Sequence, residues 1–314
     1  MNAWKIPWAK TDLAPSDRMA AQRVLRSGRL ANGPDVDALE DAWAKTHEYA
    51  YAVAVSSGMA ALEAMLQNVE TRALQVAGAT FTPVYGRLSG YSLADLGIPA
   101  DDRYCMVTAL YDSDRLVPEC PDPMLADYCE AVGVVPNNKC DVAYSLYPNK
   151  QLGAGEGGII CTMDKTRAAW YKSFRNNGRT GASWVPSQEG MNYRLGEVTA
   201  AIARSKLSRL DNILQRRREL FVRYWEALDC GWRDDPAPWS VFTFAYECEC
   251  KSERDAVAWA LAKARVETRF PFPARPACPR WGEWVDHTLL LPLYTSMTEA
   301  DQDYVIRVIR RATR

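Results

Sequence analysis

The residues best placed for chemistry lie in Asp141-Val-Ala-Tyr-Ser-Leu-Tyr-Pro-Asn-Lys150, which runs into Gly153-Ala-Gly-Glu-Gly-Gly158. A short apolar strand ends at Ser145; Lys150 follows, then a glycine-rich return. A chain built this way presents one amine beside an oxyanion-binding hydroxyl at the mouth of a sheet. A lysine in a partly apolar pocket can be deprotonated and form a Schiff base. A second candidate lies upstream, where a short buried strand, Tyr51 to Val55, closes in Ser56-Ser57-Gly58 and a helix follows from Met59 to Gln67. Strand, small-residue turn and helix N-terminus form a phosphate-receiving geometry, because free N–H groups and the helix dipole both face the anion. Each has an ordinary structural reading as well: a solvated lysine after a strand, and a plain turn between strand and helix.

The elements that must position these groups can be read along the chain. Ser16 to Arg26 has helical spacing, a serine able to cap its start and Gly28 to stop it. A second helix follows Gly33-Pro34 and carries Val36, Leu39, Ala42 and Trp43 on one face. Strand-like runs recur at Leu74–Val76, Tyr91–Leu96, Tyr104–Leu110, Met124–Ala126, Val142–Leu146 and Gly158–Thr162. Helical patterns alternate with several of them, which predicts a largely parallel sheet covered by helices. A long helical stretch from Leu195 to about Leu228 is expected to bend partway, and the domain boundary is placed on it, dividing 1–215 from 216–314. Beyond it, a strand over Val241–Glu249, a helix over Glu253–Ala264, an extended Val266–Phe270 and a capping box at Thr298-Glu-Ala-Asp301 predict a small α+β unit. The proline-rich segment from Phe270 to Pro279 is expected to be a loop crossing toward the site.

Composition narrows the function classes. The 314 residues are 48% hydrophobic with a formal net charge of -1, enough for a large core plus a smaller one. Near-zero charge argues against a nucleic-acid or anionic-membrane partner. The arginines Arg216, Arg217 and Arg218, and those near the C-terminus, read as solvated helix faces. Met1 to Lys10 holds no apolar core run and no stretch is long enough to span a bilayer, so a cytoplasmic protein with its nine cysteines reduced is expected. Only His47 and His287 are present, which excludes a histidine-rich metal centre.

Taken in order, several blocks resemble the DegT/DnrJ/EryC1/StrS aminotransferases, the sugar-aminotransferase branch of fold-type I enzymes that use pyridoxal 5′-phosphate (PLP). They are Ser27 to Pro34, Val55 to Leu62, Ala79-Thr-Phe81, Ser145 to Gly158, Asn176-Asn-Gly-Arg179, Met191-Asn-Tyr-Arg-Leu195, Val266-Glu-Thr-Arg269 and Leu290-Leu-Pro-Leu-Tyr294. The resemblance implies an α/β cofactor domain of the aspartate aminotransferase type with a small C-terminal α+β domain. It implies that Lys150 is the Schiff-base lysine and proton carrier. Asp127 would pair with the pyridine nitrogen and keep the cofactor an electron sink. Ser145, with Ser57, Gly58 and Met59, would hold the phosphate, and Phe81 would stack on the ring. Asn192 would reach the phosphate of a neighbouring subunit, which implies a homodimer with shared sites. The implied substrates are an amino donor such as glutamate and a keto-sugar nucleotide.

The chain also departs from that pattern. Met59 stands where a threonine is common, and the loop after Thr268-Arg269 lacks the family's histidine. Glu130 occupies the position of a glutamine or histidine near the cofactor's phenolic oxygen. An ionised carboxylate there would repel a phenolate, so Glu130 is expected to be protonated, turned away, or redirecting the chemistry. The chain is compressed between Asp95 and Asp141, and trimmed helices would leave sheet surface for a partner to cover. Another PLP reaction on an unusual amino compound, or a non-catalytic regulatory role, stands as the alternative.

Overall fold

The computed structural model describes residues 4–69, 73–76, 92–95, 104–108, 125–136, 138–181, 183–228, 240–273 and 279–313. Helices α1 (Pro15–Ser27) and α2 (Pro34–Thr46) each open on a proline, whose missing N–H would have had no intrahelical acceptor there. The serine cap expected at Ser16 is replaced by Asp17, whose carboxylate accepts the Ala14 N–H at 2.8 Å. Gly28 ends α1 with a φ of 67°, a left-handed stop that glycine adopts without strain. Asp17 is fully buried, and its pairing with Arg209 and Ser205 pins α1 to later helices.

The main sheet comprises β1 (Tyr51–Val55), β2 (Ala73–Val76), β3 (Ser92–Asp95), β4 (Tyr104–Thr108), β5 (Leu125–Asp127), β6 (Asp141–Ser145) and β7 (Gly158–Thr162), in the order β1-β7-β6-β5-β4-β2-β3. The ladders joining β6, β5, β4, β2 and β3 are parallel. Strand β7 runs antiparallel to both its neighbours. A short return after Ser145 brings the chain straight back beside β6, whereas a parallel neighbour would need a long crossover.

Side chains alternate across this sheet. Ala52, Ala54, Val142, Tyr144 and Ile159 join Leu39, Trp43, Ala200 and Leu207 on one face. Val53, Val55, Ala143 and Ile160 join Leu62, Met65, Tyr171 and Phe174 on the other. Two faces covered by helices explain why β6 and β7 are buried throughout and read as near-continuous apolar runs. Helices α3 (Gly58–Gln67) and α4 (Lys165–Phe174) cover the second face.

The long helical stretch is two helices, α5 (Glu197–Leu207) and α6 (Leu210–Ala227), parted at Ser208 and Arg209. Along α6 the packing changes hands. Leu214 touches both cores, while Leu220, Phe221 and Tyr224 belong to a second core with Phe244, Val257, Leu289 and Ile306. That core is built on the antiparallel pair β8 (Phe244–Glu247) and β9 (Thr288–Leu291), with α7 (Lys251–Lys263), α8 (Pro279–His287) and α9 (Glu299–Ala312). Thr298 and Asp301 form the expected capping box of α9.

One local reading is corrected here. Arg217 is not a solvated charge: it is buried, and its guanidinium donates to the carbonyls of Val241, Phe242 and Leu293. Strand β8 is shorter at both ends than the run that predicted it. The N-terminal segment, grouped by sequence with 1–215, places Ile6 in the second core, where it bridges Val266 in parallel. No helix among the described residues is long and apolar enough to cross a membrane.

Candidate active site

Strands β5 and β6 lie side by side with Asp127 opposite Ala143, so Asp127 and Ser145 emerge together at the carboxyl ends of parallel strands. Open α/β sheets bind ligands outside those ends. Beyond β6 the chain folds back on itself: the Ala154 and Gly155 N–H groups bond to the Leu146 carbonyl, and the Leu146 N–H bonds to Gly157. Lys150 sits at the tip of this return, its N–H on the Tyr147 carbonyl. A Cβ at Gly153 would lie 2.4 Å from the Pro148 carbonyl oxygen, so the turn that presents Lys150 closes only with glycine there.

The N-terminus of α3 meets these strand ends. The Ser57 hydroxyl caps the helix by accepting the Ala60 N–H at 3.0 Å. The first-turn N–H groups of Gly58 and Met59 have no acceptor within the helix. A Cβ on Gly58 would lie 2.9 Å from Cys129 Sγ and 3.1 Å from Ser145 Cβ, which shows how closely α3 approaches β5 and β6. The result is a cavity of about 490 Å³ lined by Ser57, Gly58, Met59, Asp127, Glu130, Ser145 and Lys150 together with Cys129 and Glu156. It lies within the range of about 300–1,000 Å³ typical of small-molecule sites.

The electrostatics of this floor are unusual for its depth. Lys150 Nζ lies 2.8 Å from Glu130 Oε1, with the two side chains only 13% and 4% exposed. The ammonium also sits 4.3 Å from the centroid of the Phe242 ring, a favourable cation–π position. Glu130 is thus turned toward Lys150. Its backbone carbonyl accepts from Ser240 Oγ and from Gln151 Nε2, so the residue is fixed at both ends. Asp127 is buried and accepts the Cys129 N–H at 3.1 Å. Burial, and then the Asp127 charge, push the Cys129 thiol well up. That direction disfavours the thiolate, the nucleophilic form of a cysteine.

One candidate lies apart from this cluster. Asn192 is exposed, pairs with Asn176 across an isolated bridge, and does not line the cavity. Phe81 falls outside the described residues. Other residues line the cavity without having been singled out for chemistry: Trp8, Leu62, Tyr147, Asn149, Arg269, Phe270, Phe272 and Leu290. Arg269 pairs with Glu267 at 2.7 Å, and the same carboxylate accepts the Trp8 N–H at 2.9 Å. The signal for Arg269 was a matching block that carried no role; Trp8 had none. His47 is structural, stacked on Trp43 with both ring nitrogens on backbone carbonyls, and burial lowers its pKa.

Comparison with known proteins points one way. The sequence profile of the DegT/DnrJ/EryC1/StrS aminotransferase family matches residues 12–82 and 123–310. A dTDP-3-amino-3,4,6-trideoxy-alpha-D-glucose transaminase of Micromonospora megalomicea subsp. nigra is 28% identical over 245 residues, 67% of this chain and 65% of that relative. The chain therefore spans just under two thirds of that relative's length. The erythromycin biosynthesis sensory transduction protein EryC1 of Saccharopolyspora erythraea is 32% identical over 240 residues, 65% of each chain. Among solved structures, Helicobacter pylori PseC, an aminotransferase of pseudoaminic acid biosynthesis, superposes with a TM-score of 0.83 over 99% of both chains at 16% identity. NtdA from Bacillus subtilis, with bound cofactor PMP, superposes with a TM-score of 0.82 over 99% of this chain and 86% of that one at 18% identity. These likenesses fix the fold.

Proposed function

Because the chain belongs to the DegT/DnrJ/EryC1/StrS aminotransferase family, we propose that it is a PLP-dependent aminotransferase acting on a nucleotide-linked keto-sugar, with Lys150 as the reactive amine. The observation that carries this is the meeting of Lys150, Asp127 and the α3 N-terminus in one cavity. The donor set fits the cofactor. It offers one amine, a buried carboxylate for the pyridine nitrogen, and a hydroxyl with helix-start amides for a phosphate. The close approach at Gly58 fits too, since a Cβ would intrude between α3 and the strand ends.

The roles follow from position. PLP, when bound, supplies the electron sink and carries the amino group between substrates. Lys150 would hold the cofactor and would serve as the base and then the acid that moves the substrate proton. Asp127, buried at the end of β5, would pair with the ring nitrogen. Ser145, with the Gly58 and Met59 amides, orients the phosphate. Glutamate is the proposed donor; a dTDP-linked keto-sugar acceptor is supported by the name of the Micromonospora relative. Asn192, exposed outside its own cavity, is proposed to reach a second subunit's site, and the division near residue 215 to separate a cofactor domain from a substrate-covering one.

Reduction of the PLP-treated protein with borohydride followed by peptide mapping tests the assignment. A pyridoxyl adduct on Lys150 is expected. Adducts scattered over surface lysines, with Lys150 unmodified, would refute it.

A further inference from the structure

We infer that Glu130 is the acceptor of the proton that Lys150 must shed to become a nucleophile toward the cofactor's aldehyde; the inference rests on the proposed role of Lys150. Three observations carry it. The carboxylate stands 2.8 Å from Lys150 Nζ, within hydrogen-bond distance of the reacting atom itself. Its backbone carbonyl is held by Gln151, the residue next to Lys150, and by Ser240. Glu130 and Lys150 are therefore tied through both side chain and main chain. Both partners are largely withdrawn from solvent, which disfavours bulk water as the proton's destination.

The other carboxylates at the cavity are worse placed. Glu156 is exposed at the cavity wall. Asp127 is engaged with the Cys129 N–H.

The step balances. An N–H bond of the Lys150 ammonium breaks and an O–H bond forms on Glu130. The freed nitrogen attacks the aldehyde carbon, a C=N bond forms, and the aldehyde oxygen leaves as water with the two remaining amine protons. A charged pair becomes a neutral imine and a neutral carboxylic acid. This also answers the electrostatic objection to a glutamate at this position: the acid repels no anionic ring oxygen, because the lysine has already neutralised it.

The test is a proton count during cofactor capture by the cofactor-free protein, in weakly buffered solution at neutral pH with an indicator dye. The native chain and Glu130→Gln are compared, with mass spectrometry of the borohydride-reduced Lys150 peptide alongside. In the native chain the proton stays on Glu130. In Glu130→Gln it goes to solvent, so the variant is expected to release one more proton per cofactor and to capture it at least tenfold more slowly. The far-ultraviolet circular dichroism of the cofactor-free variant is expected to match that of the native chain, showing that the fold is intact. Should Glu130→Gln fail to fold, Glu130→Asp replaces it; a retained carboxylate predicts the native proton count with slower capture. Equal release by the native chain and Glu130→Gln, or an extra proton from Glu130→Asp, would overturn the inference. No Lys150 adduct in the native chain would overturn the proposed function and this inference with it.

Discussion

The floor and the rim of the cavity are built differently. The floor comes from strand ends, a helix start and a glycine-rich return. Asp127 and Glu130 are buried, and Asp127, Ser57 and Ser145 each accept a backbone N–H. The rim is assembled from distant chain: Trp8 from the N-terminus, and Arg269, Phe270 and Phe272 from the C-terminal unit. Phe270 is 52% exposed, and the Arg269 side chain is 56% exposed although paired with Glu267. Buried charges have one low-energy arrangement, because losing a partner there strands a charge in low dielectric. Exposed pairs are screened and contribute little to stability. Reaction chemistry belongs on the first surface, and substrate choice can drift on the second.

Substitutions can break that contrast, and the largest effect belongs to the floor. Lys150→Ala is expected to lower amino transfer by on the order of 10³-fold or more, since it removes the proposed covalent anchor and proton carrier. Measured single-turnover rates within tenfold of the native chain would contradict it. Asp127→Asn, which keeps shape and removes charge, is expected to cost on the order of 10²-fold in kcat with the cofactor still bound. An unchanged kcat would mean that Asp127 does not face the ring.

Much of the floor was legible in sequence because its parts are local. Ser145, Lys150 and the glycine return lie within one short stretch, and Ser57-Gly58 announces a helix start by residue type alone. The antiparallel sense of β7 was not legible, because an apolar run carries no direction; the tightness of the Gly153 turn sets it. Glu130 was foreseen only as a conflict with the cofactor's phenolic oxygen, not as the partner of Lys150. Its resolution depends on Ser240 and Gln151 holding the Glu130 carbonyl, contacts that join segments far apart in the chain. Arg217 misled for the same reason: a charge on an amphipathic helix looks solvated until three carbonyls of the C-terminal unit are brought to it.

Smaller effects sharpen the contrast further. Gly58→Ala places a Cβ against Cys129 and Ser145 and is expected to weaken cofactor binding about tenfold, or about 1.4 kcal/mol, as read by equilibrium titration. Affinity equal to the native value would mean that α3 can retreat, and that the floor is less rigid than its packing implies. On the rim, Arg269→Ala is expected to raise KM for the donor or acceptor severalfold, up to roughly tenfold, and to leave kcat within about twofold, the pattern of lost uniform binding. A drop in kcat alone would move Arg269 to the floor.

The smallest effect concerns the tie between the two regions. Lys206 donates to the Asp12 and Gly153 carbonyls, linking the N-terminal segment to the glycine return. Burial lowers its pKa to about 8 from 10.5. Between those values the unfolded chain holds the proton more often than the folded one, so Lys206 contributes stability that rises with pH over that window and is lost as pH falls through about 8. Lys206→Met is expected to flatten the difference in denaturant midpoint between pH 8 and pH 10. An identical slope in the variant would show that Lys206 is solvated when folded.

The most direct test of the aminotransferase reading is the absorbance spectrum of the purified protein with PLP, before and after adding glutamate, beside Lys150→Ala. The native chain is expected to show the band of a lysine-bound cofactor, which glutamate converts to that of pyridoxamine phosphate; Lys150→Ala should form no such lysine-bound band. A lysine-bound band untouched by glutamate or other amino donors, or one that persists in Lys150→Ala, would contradict the assignment.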